Sequence, residues 1–275
     1  MTSSPDKSPI ADAVIETAGL TRRYDGLVAV DHLQLEVRRG TIFGLLGPNG
    51  AGKTTTIKML TTLLPPTSGS ARVAGFDIVR APREVRRRIG YVPQMVSADG
   101  TLTGYENLRL SATLYGLSRA GRRRRIADAL EFMGLAQARD QLVREYSGGM
   151  IRRLELAQAM LHEPPVLFLD EPTIGLDPLA RRAVWERLEE LRRKAGTTML
   201  ITTHDMEEAD ELCDELALMH QGTVAARGAP EELKRGIGPD ASLDDVFAHY
   251  AGGEIEVGGS YRDVRRTRST AHRLG

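Results

Sequence analysis

The 275-residue chain has a single cysteine, Cys213, and carries no net charge. It also lacks any apolar run near the roughly 18 residues that a membrane-crossing helix needs. One cysteine excludes an intramolecular disulfide and suits a reducing compartment. Lys plus Arg and Asp plus Glu number 37 each, so no global field draws the chain to nucleic acid, and no nucleic-acid partner is expected. The N-terminus is rich in Ser, Pro and Asp and lacks the basic-then-apolar order of a secretory leader, so none is expected. Any membrane function must then be borrowed from a partner. What the chain does have is 41% hydrophobic and 27% charged residues, the balance of a globular protein with a substantial core. Basic residues cluster at 86–88, 122–125, 192–194 and 262–273, and such runs are ordinarily solvated helix faces. Cys213 stands at helical spacing with Ala209, Leu212 and Leu216, which predicts a packed thiol on a buried helix face.

Residues 1–12 are expected to be disordered. From Ala13 to Val37 apolar and polar residues alternate, most clearly at Leu33, Leu35 and Val37, which predicts antiparallel strands. A turn cluster follows at Pro65-Pro66-Thr67-Ser68-Gly69, with short strand-like pieces up to Ala74. Ile89-Gly90-Tyr91-Val92 reads as a strand ending at Pro93-Gln94. Helical pattern then dominates to about Leu161, with Thr103 and Glu106 spaced as a capping box. Val166-Leu167-Phe168-Leu169 is a continuous apolar run, expected of a strand covered on both faces. A further strand, Thr198-Met199-Leu200-Ile201-Thr202, leads to His204. Strands alternating with helices predict a mostly parallel α/β core.

The most informative segment is Gly47-Pro48-Asn49-Gly50-Ala51-Gly52-Lys53-Thr54-Thr55, which fits the phosphate-loop pattern G-x-x-x-x-G-K-[ST]. Ile42-Phe43-Gly44-Leu45-Leu46 supplies the strand before it, and residues 54–60 the helix after it. Glycines let the backbone curl so that its N–H groups face a polyphosphate, and the helix start adds unpaired donors and positive dipole. Lys53 would reach the β- and γ-phosphates, and Thr54 would hold Mg²⁺. Asp170 and Glu171 follow the apolar run, and the carboxyl ends of parallel strands line the ligand crevice. Asp170 can there reach Mg²⁺, and Glu171 can polarise the water that attacks the γ-phosphate. Alone, two acids at a strand end would be a strand leaving into solvent. Tyr146-Ser147-Gly148-Gly149-Met150 precedes an amphipathic helix with Ser147 as N-cap, and its glycines permit close approach to an anion.

Taken in order, these motifs resemble the ATP-binding subunit of an ABC transporter over roughly residues 13–252. Residues 47–55 match Walker A, 166–170 Walker B, and 146–150 the signature. Gln94 matches the Q-loop, Gly175-Leu176-Asp177 the D-loop, and His204 the switch histidine. Tyr24 falls where the family stacks an aromatic on adenine. The chain departs from the commonest family pattern at Tyr146 and Met150, the ends of the signature, and at Ile174 before the D-loop. The Tyr-Ser-Gly-Gly-Met form, the run at 43–47, the segment Ser242-Leu243-Asp244-Asp245-Val246-Phe247 and the tail from Tyr261 are similar to the daunorubicin-resistance type of exporter ATPase.

The resemblance implies an α/β fold of the P-loop NTPase (RecA-like) kind. It has a mostly parallel sheet core, an antiparallel β subdomain and an inserted α-helical subdomain. The ATPase domain would span 13–238 with 95–162 inserted, and 239–275 would form a C-terminal helix and Arg-rich tail. ATP and Mg²⁺ are the implied ligands, with Glu171, His204 and Lys53 in catalysis and Thr54, Gln94 and Asp170 around the metal. Tyr24, residues 47–55, Gln94, Ser147, Gly148, Gly149 and Asp177 would bind nucleotide. Two such subunits, expected to be identical copies, would close head to tail over two ATP molecules. Each site would then use Ser147, Gly148 and Gly149 of the opposite subunit. The implied activity is ATP hydrolysis at the cytoplasmic face of the membrane, powering export of a drug or other lipophilic compound through a separately encoded integral membrane permease. The competing reading is a soluble ABC-type ATPase acting on nucleic acid or ribosomes; against it stand the single cassette, the absence of a heptad run and the zero net charge.

Overall fold

A strand buried on both faces reads as a nearly continuous apolar run, and the centre of this molecule is built from such strands, polar chiefly at their ends. The computed structural model describes residues 12–251. The antiparallel hairpin comes first, β1 (Ala13–Tyr24) and β2 (Leu27–Arg38), paired through registers such as Thr17 opposite Leu35. β3 (Ile42–Leu46) and α1 (Lys53–Leu60) follow, then β4 (Ser68–Val73), β5 (Phe76–Asp77), α2 (Pro82–Arg86) and β6 (Ile89–Val92). Three helices come next: α3 (Gly104–Leu114), α4 (Arg119–Phe132) and α5 (Gly148–Met160). The chain then runs β7 (Val166–Asp170), α6 (Pro178–Ala195), β8 (Thr198–Thr203), α7 (Met206–Leu212), β9 (Glu215–His220) and β10 (Thr223–Gly228). It closes with α8 (Pro230–Ile237) and α9 (Leu243–Tyr250).

One sheet has the order β10-β9-β3-β8-β7-β6, with β9, β3, β8, β7 and β6 parallel and β10 antiparallel at the edge. The other is antiparallel, in the order β2-β1-β4-β5. Every residue of β3, β7 and β8 is buried. Their period-two alternation divides the core in two. Phe43, Leu45, Phe168, Leu200 and Ala217 face α1 and the antiparallel sheet, while Ile42, Leu46, Leu167, Leu169 and Ile201 face α5, α6 and α7. The fold is the mixed α/β arrangement the sequence implies, with a parallel core, an antiparallel sheet and helices between β6 and β7.

Local chemistry fixes the helix starts. Thr103 and Glu106 form the expected capping box on α3, each side chain bonded to the other's backbone N–H. The Ser147 hydroxyl accepts from the Met150 N–H and caps α5. Two expectations change. Ser68, read as part of a turn, already pairs with Thr21 on β1. Cys213 is buried, as expected, but not on a continuing helix: α7 ends at Leu212, and Leu216 lies on β9. The thiol instead sits under β3, where a Cβ on Gly44 would come within 2.7 Å of its sulfur. Of the start expected to be disordered (residues 1–12), Asp12 is placed, its carbonyl accepting from the Arg39 N–H at 3.1 Å. Residues 1–11 and the Arg-rich tail (beyond 251) lie outside the described residues.

Candidate active site

Because β3, β6, β7 and β8 are parallel, the loops after them leave from one edge of the sheet. Residues 47–52 follow β3, Gln94 follows β6, Glu171 follows β7, and His204 follows β8. Chain positions more than a hundred residues apart thus meet in one place.

The loop at 47–52 is shaped by glycine. Gly50 and Gly52 have φ of +84° and +104°, and a Cβ on Gly52 would stand 2.5 Å from the Ala29 carbonyl oxygen. No side chain caps the first turn of α1. Its leading N–H groups are therefore left for a ligand to satisfy. Lys53, 4% exposed, folds back so that its ammonium donates to the carbonyls of Gly47 (2.7 Å) and Pro48 (3.1 Å). Burial lowers its pKa, and the attraction of Glu171 and Asp170 opposes that shift.

Asp170 and Glu171 are both buried. Asp170 Oδ1 accepts from the Thr54 hydroxyl at 3.0 Å and from the Thr202 hydroxyl at 2.6 Å. The Glu171 N–H donates to the Thr202 hydroxyl and carbonyl oxygens, at 3.0 and 3.1 Å. Glu171 adopts φ +48°, a left-handed conformation that side-chain-bearing residues avoid unless their surroundings impose it. Around its carboxylate stand three of the other expected residues. Lys53 Nζ lies 3.6 Å from Oε1. His204 Nδ1 lies 3.2 Å from Oε2, and Gln94 Nε2 donates to the same oxygen at 3.3 Å.

These residues open onto a cleft of about 830 Å³ lined by Asn49, Gly50, Ala51, Gly52, Lys53, Thr54, Thr55, Gln94, Glu171 and Tyr24. Leu27, Val28, Ala29 and Gln221 complete it. Tyr24, at the end of β1, carries the Arg22 guanidinium 4.5 Å from its ring centroid. Gly47, Pro48, Asp170 and His204 stand just behind the lining, in contact with Lys53, Thr54 or Glu171. Ser147, Gly148, Gly149 and Asp177 neither line this cleft nor bond to those residues. The signature glycines pack on the start of α6, where a Cβ on Gly149 would stand 2.9 Å from that of Ala180, and Asp177 caps α6 by accepting from the Ala180 N–H.

The residues fit a nucleoside triphosphate with its cation. The open helix start and Lys53 suit phosphate. Thr54, Asp170 and Gln94 offer only oxygen donors towards a metal. Among the described residues no three or more His, Cys, Asp or Glu gather as a metal cage. Mg²⁺ asks for none, since it binds through one or two carboxylates, waters and substrate phosphates.

The family model for the ABC transporter matches residues 30–174. The chain belongs to the ABC transporter family. It is similar to the daunorubicin/doxorubicin resistance ATP-binding protein of Streptomyces peucetius, 50% identical over 224 residues, 82% of this chain and 68% of that one. A Nod factor export ATP-binding protein of Ralstonia nicotianae is 46% identical over 220 residues, covering 80% and 68%. A solved structure of an ATP-binding subunit of an ABC transporter superposes with a TM-score of 0.77 at 34% identity, covering 86% of this chain and 99% of that one. The chain is therefore an ABC ATPase, the ATP-binding and ATP-hydrolysing kind of transporter subunit. Among the described residues no helix of this ABC subunit is long and apolar enough to cross a membrane.

Sequence reasoning passed over Thr202, which bridges Asp170 and Glu171, and buried Glu208. Glu208 accepts from the Thr173 hydroxyl (2.7 Å) and the Trp185 indole (3.1 Å) and so ties α7 to the segment after Glu171. Burial raises the Glu208 pKa. The one sequence signal for either was a polar residue at the end of an apolar strand or on the inner face of a helix.

Proposed function

We propose that this subunit hydrolyses Mg²⁺-bound ATP to drive export of a drug or other lipophilic compound. The export path would be an integral membrane permease made as a separate chain, with the subunit held peripherally at the cytoplasmic face. The observation that carries the reading is the division of the expected site. Lys53, Thr54, Gln94 and Glu171 line one cleft, with Asp170 bonded to Thr54 and His204 to Glu171 beside it, whereas Ser147, Gly148 and Gly149 lie outside it at the start of α5. A second copy placed head to tail supplies the missing half, and two-fold symmetry completes both sites at once.

When bound, Mg²⁺ would neutralise charge on the β- and γ-phosphates. Thr54, Asp170 and Gln94 are the residues that would hold it. The 47–55 loop and Lys53 bind and orient the phosphates. Glu171 accepts a proton from the attacking water, a role its burial and its fixed neighbours suit. His204 and Gln94 hold that carboxylate in place. Tyr24 offers its ring to the base, and Asp177 belongs to the face that meets the second copy. Catalysis of this kind is chiefly positioning and charge stabilisation. ATP favours the closed pair and hydrolysis reverses that preference, which turns chemistry into motion. The names of the two relatives, drug resistance and Nod factor export, support export as the direction. We take 13–238 as the ATPase domain, with 95–162 inserted.

Affinity purification of the tagged chain, expressed together with candidate permeases, tests the reading. A polytopic membrane protein should co-purify and ATPase activity should be retained. RNA, DNA or ribosomes in its place would overturn it.

A further inference from the structure

Outside the cleft, two oppositely charged side chains of α5 are buried that the proposed mechanism does not use. Arg152 and Glu155 are 5% and 2% exposed and pair at 3.0 Å, Nη1 to Oε2. Desolvating two charges costs more than their mutual attraction reliably returns unless their remaining bonding capacity is used. Here it is used on one segment. Arg152 Nη1 also donates to the Pro93 carbonyl at 2.8 Å, and Nη2 donates to the Gln94 carbonyl at 3.1 Å. Glu155 Oε1 accepts from the Ser97 N–H at 2.5 Å and from its hydroxyl at 2.9 Å. All four bonds fall within residues 93–97, the loop that presents Gln94. Apolar burial does not hold that loop, because Met95 and Val96 are 82% and 61% exposed. The charged pair is what fastens it.

We propose that Arg152, fixed by Glu155, is a positioning residue for ATP hydrolysis. It sets the Gln94 side chain at Glu171 and binds the Gln94 loop to the helix that Ser147 begins. The inference rests on the functional reading above, in that it takes Gln94 and Ser147 to serve hydrolysis. Its physical content is a rigid link. The arginine fork grips two successive carbonyls from separate nitrogens, so the backbone of Gln94 cannot rotate independently of α5. The 3.3 Å contact from Gln94 to Glu171 depends on that backbone. A displacement of the Gln94 loop therefore carries α5 with it, and with α5 the residues offered to the second copy.

The test is a cycle in the full chain, in whichever assembly hydrolyses ATP. Arg152→Met with Glu155→Leu removes both charges and leaves neither one buried alone. The paired variant should remain folded, with its melting temperature lowered only by the loss of the four bonds to residues 93–97. It should keep its Kd for ATP measured without Mg²⁺, since the phosphate loop is untouched. Its kcat should fall on the order of tenfold to a hundredfold, the cost of misplacing a group by about 1 Å. Gln94→Ala should lower kcat in the wild type but have no further effect in the paired variant. Normal kcat in the folded paired variant overturns the inference, as does a Gln94→Ala loss of equal size in both backgrounds. Should the paired variant unfold early, the same cycle is read in Arg152→Lys. This variant keeps a cation beside Glu155 but cannot reach both carbonyls from separate nitrogens. A wild type that hydrolyses no ATP, or Glu171→Gln without effect, would instead overturn the functional reading and this inference with it.

Discussion

Glu171→Gln isolates the chemistry from the scaffold. The two side chains have the same shape, and Glu171 is buried, so the exchange opens no cavity and creates no clash. Its φ of +48° is held by the two bonds from its N–H to Thr202, which the substitution leaves intact. Gln94 and His204 can still hydrogen-bond an amide oxygen. What disappears is the negative charge and the basicity. Proton transfer by a positioned base contributes about 10²–10⁴-fold, so roughly 3–5 kcal/mol is added to the barrier. Lys53 loses the partner that most opposes the lowering of its pKa by burial. Phosphate oxygens can take that partner's place, so affinity for ATP should hold or rise as the carboxylate's repulsion is removed. Single-turnover hydrolysis, with gel filtration in ATP, should show retained binding, turnover slowed by those factors and accumulation of a dimer. Wild-type turnover by Glu171→Gln would refute the assignment of Glu171 as the base.

Gly52→Ala should weaken ATP binding and destabilise the fold. The left-handed backbone alone costs about 1–2 kcal/mol, and the new Cβ meets the Ala29 carbonyl at 2.5 Å. Unchanged melting temperature and affinity would show that the loop does not need this conformation. His162 is half-buried and stacks on Tyr115 at 3.8 Å. Its Nε2–H donates to the Ile89 carbonyl and its buried Nδ1 has no partner. Burial lowers its pKa, so the unfolded chain takes up a proton near pH 6.5 while the native state resists. Its stabilising contribution is therefore present above about pH 6.5 and is lost as the pH falls through the lowered native value. His162→Gln should give melting temperatures that depend less steeply on pH below about 6.5; parallel curves would refute this.

Several features could be read directly from the chain because their physics is local. The 47–55 loop encodes its own curvature and donors within nine contiguous residues. The Thr103–Glu106 box and the Ser147 cap act within one helical turn. The apolar runs at 42–46 and 166–169 declare strands with no wet face. The failure at Cys213 is not local: helical spacing continued on paper through Leu216, but pairing of β9 with the distant β3 pulls residues 215–218 into the sheet. Tertiary pairing overrides periodicity where a short helix meets a buried strand edge.

The sequence by itself determined which groups this ABC subunit could bring to phosphate chemistry: a lysine, a threonine, two acids, a glutamine and a histidine, each beside a strand end. Tertiary structure alone decided their company. Thr202 joins the Asp170 carboxylate and the Glu171 N–H from 32 and 31 residues away, and Arg152 grips the Gln94 loop across 58. Such contacts leave no periodic trace in the chain, because the sheet order and a buried charge's need for partners create them. The parallel sheet turns separate motifs into one cleft. The same sheet leaves Ser147, Gly148 and Gly149 outside it, because their helix starts where no strand of that edge ends.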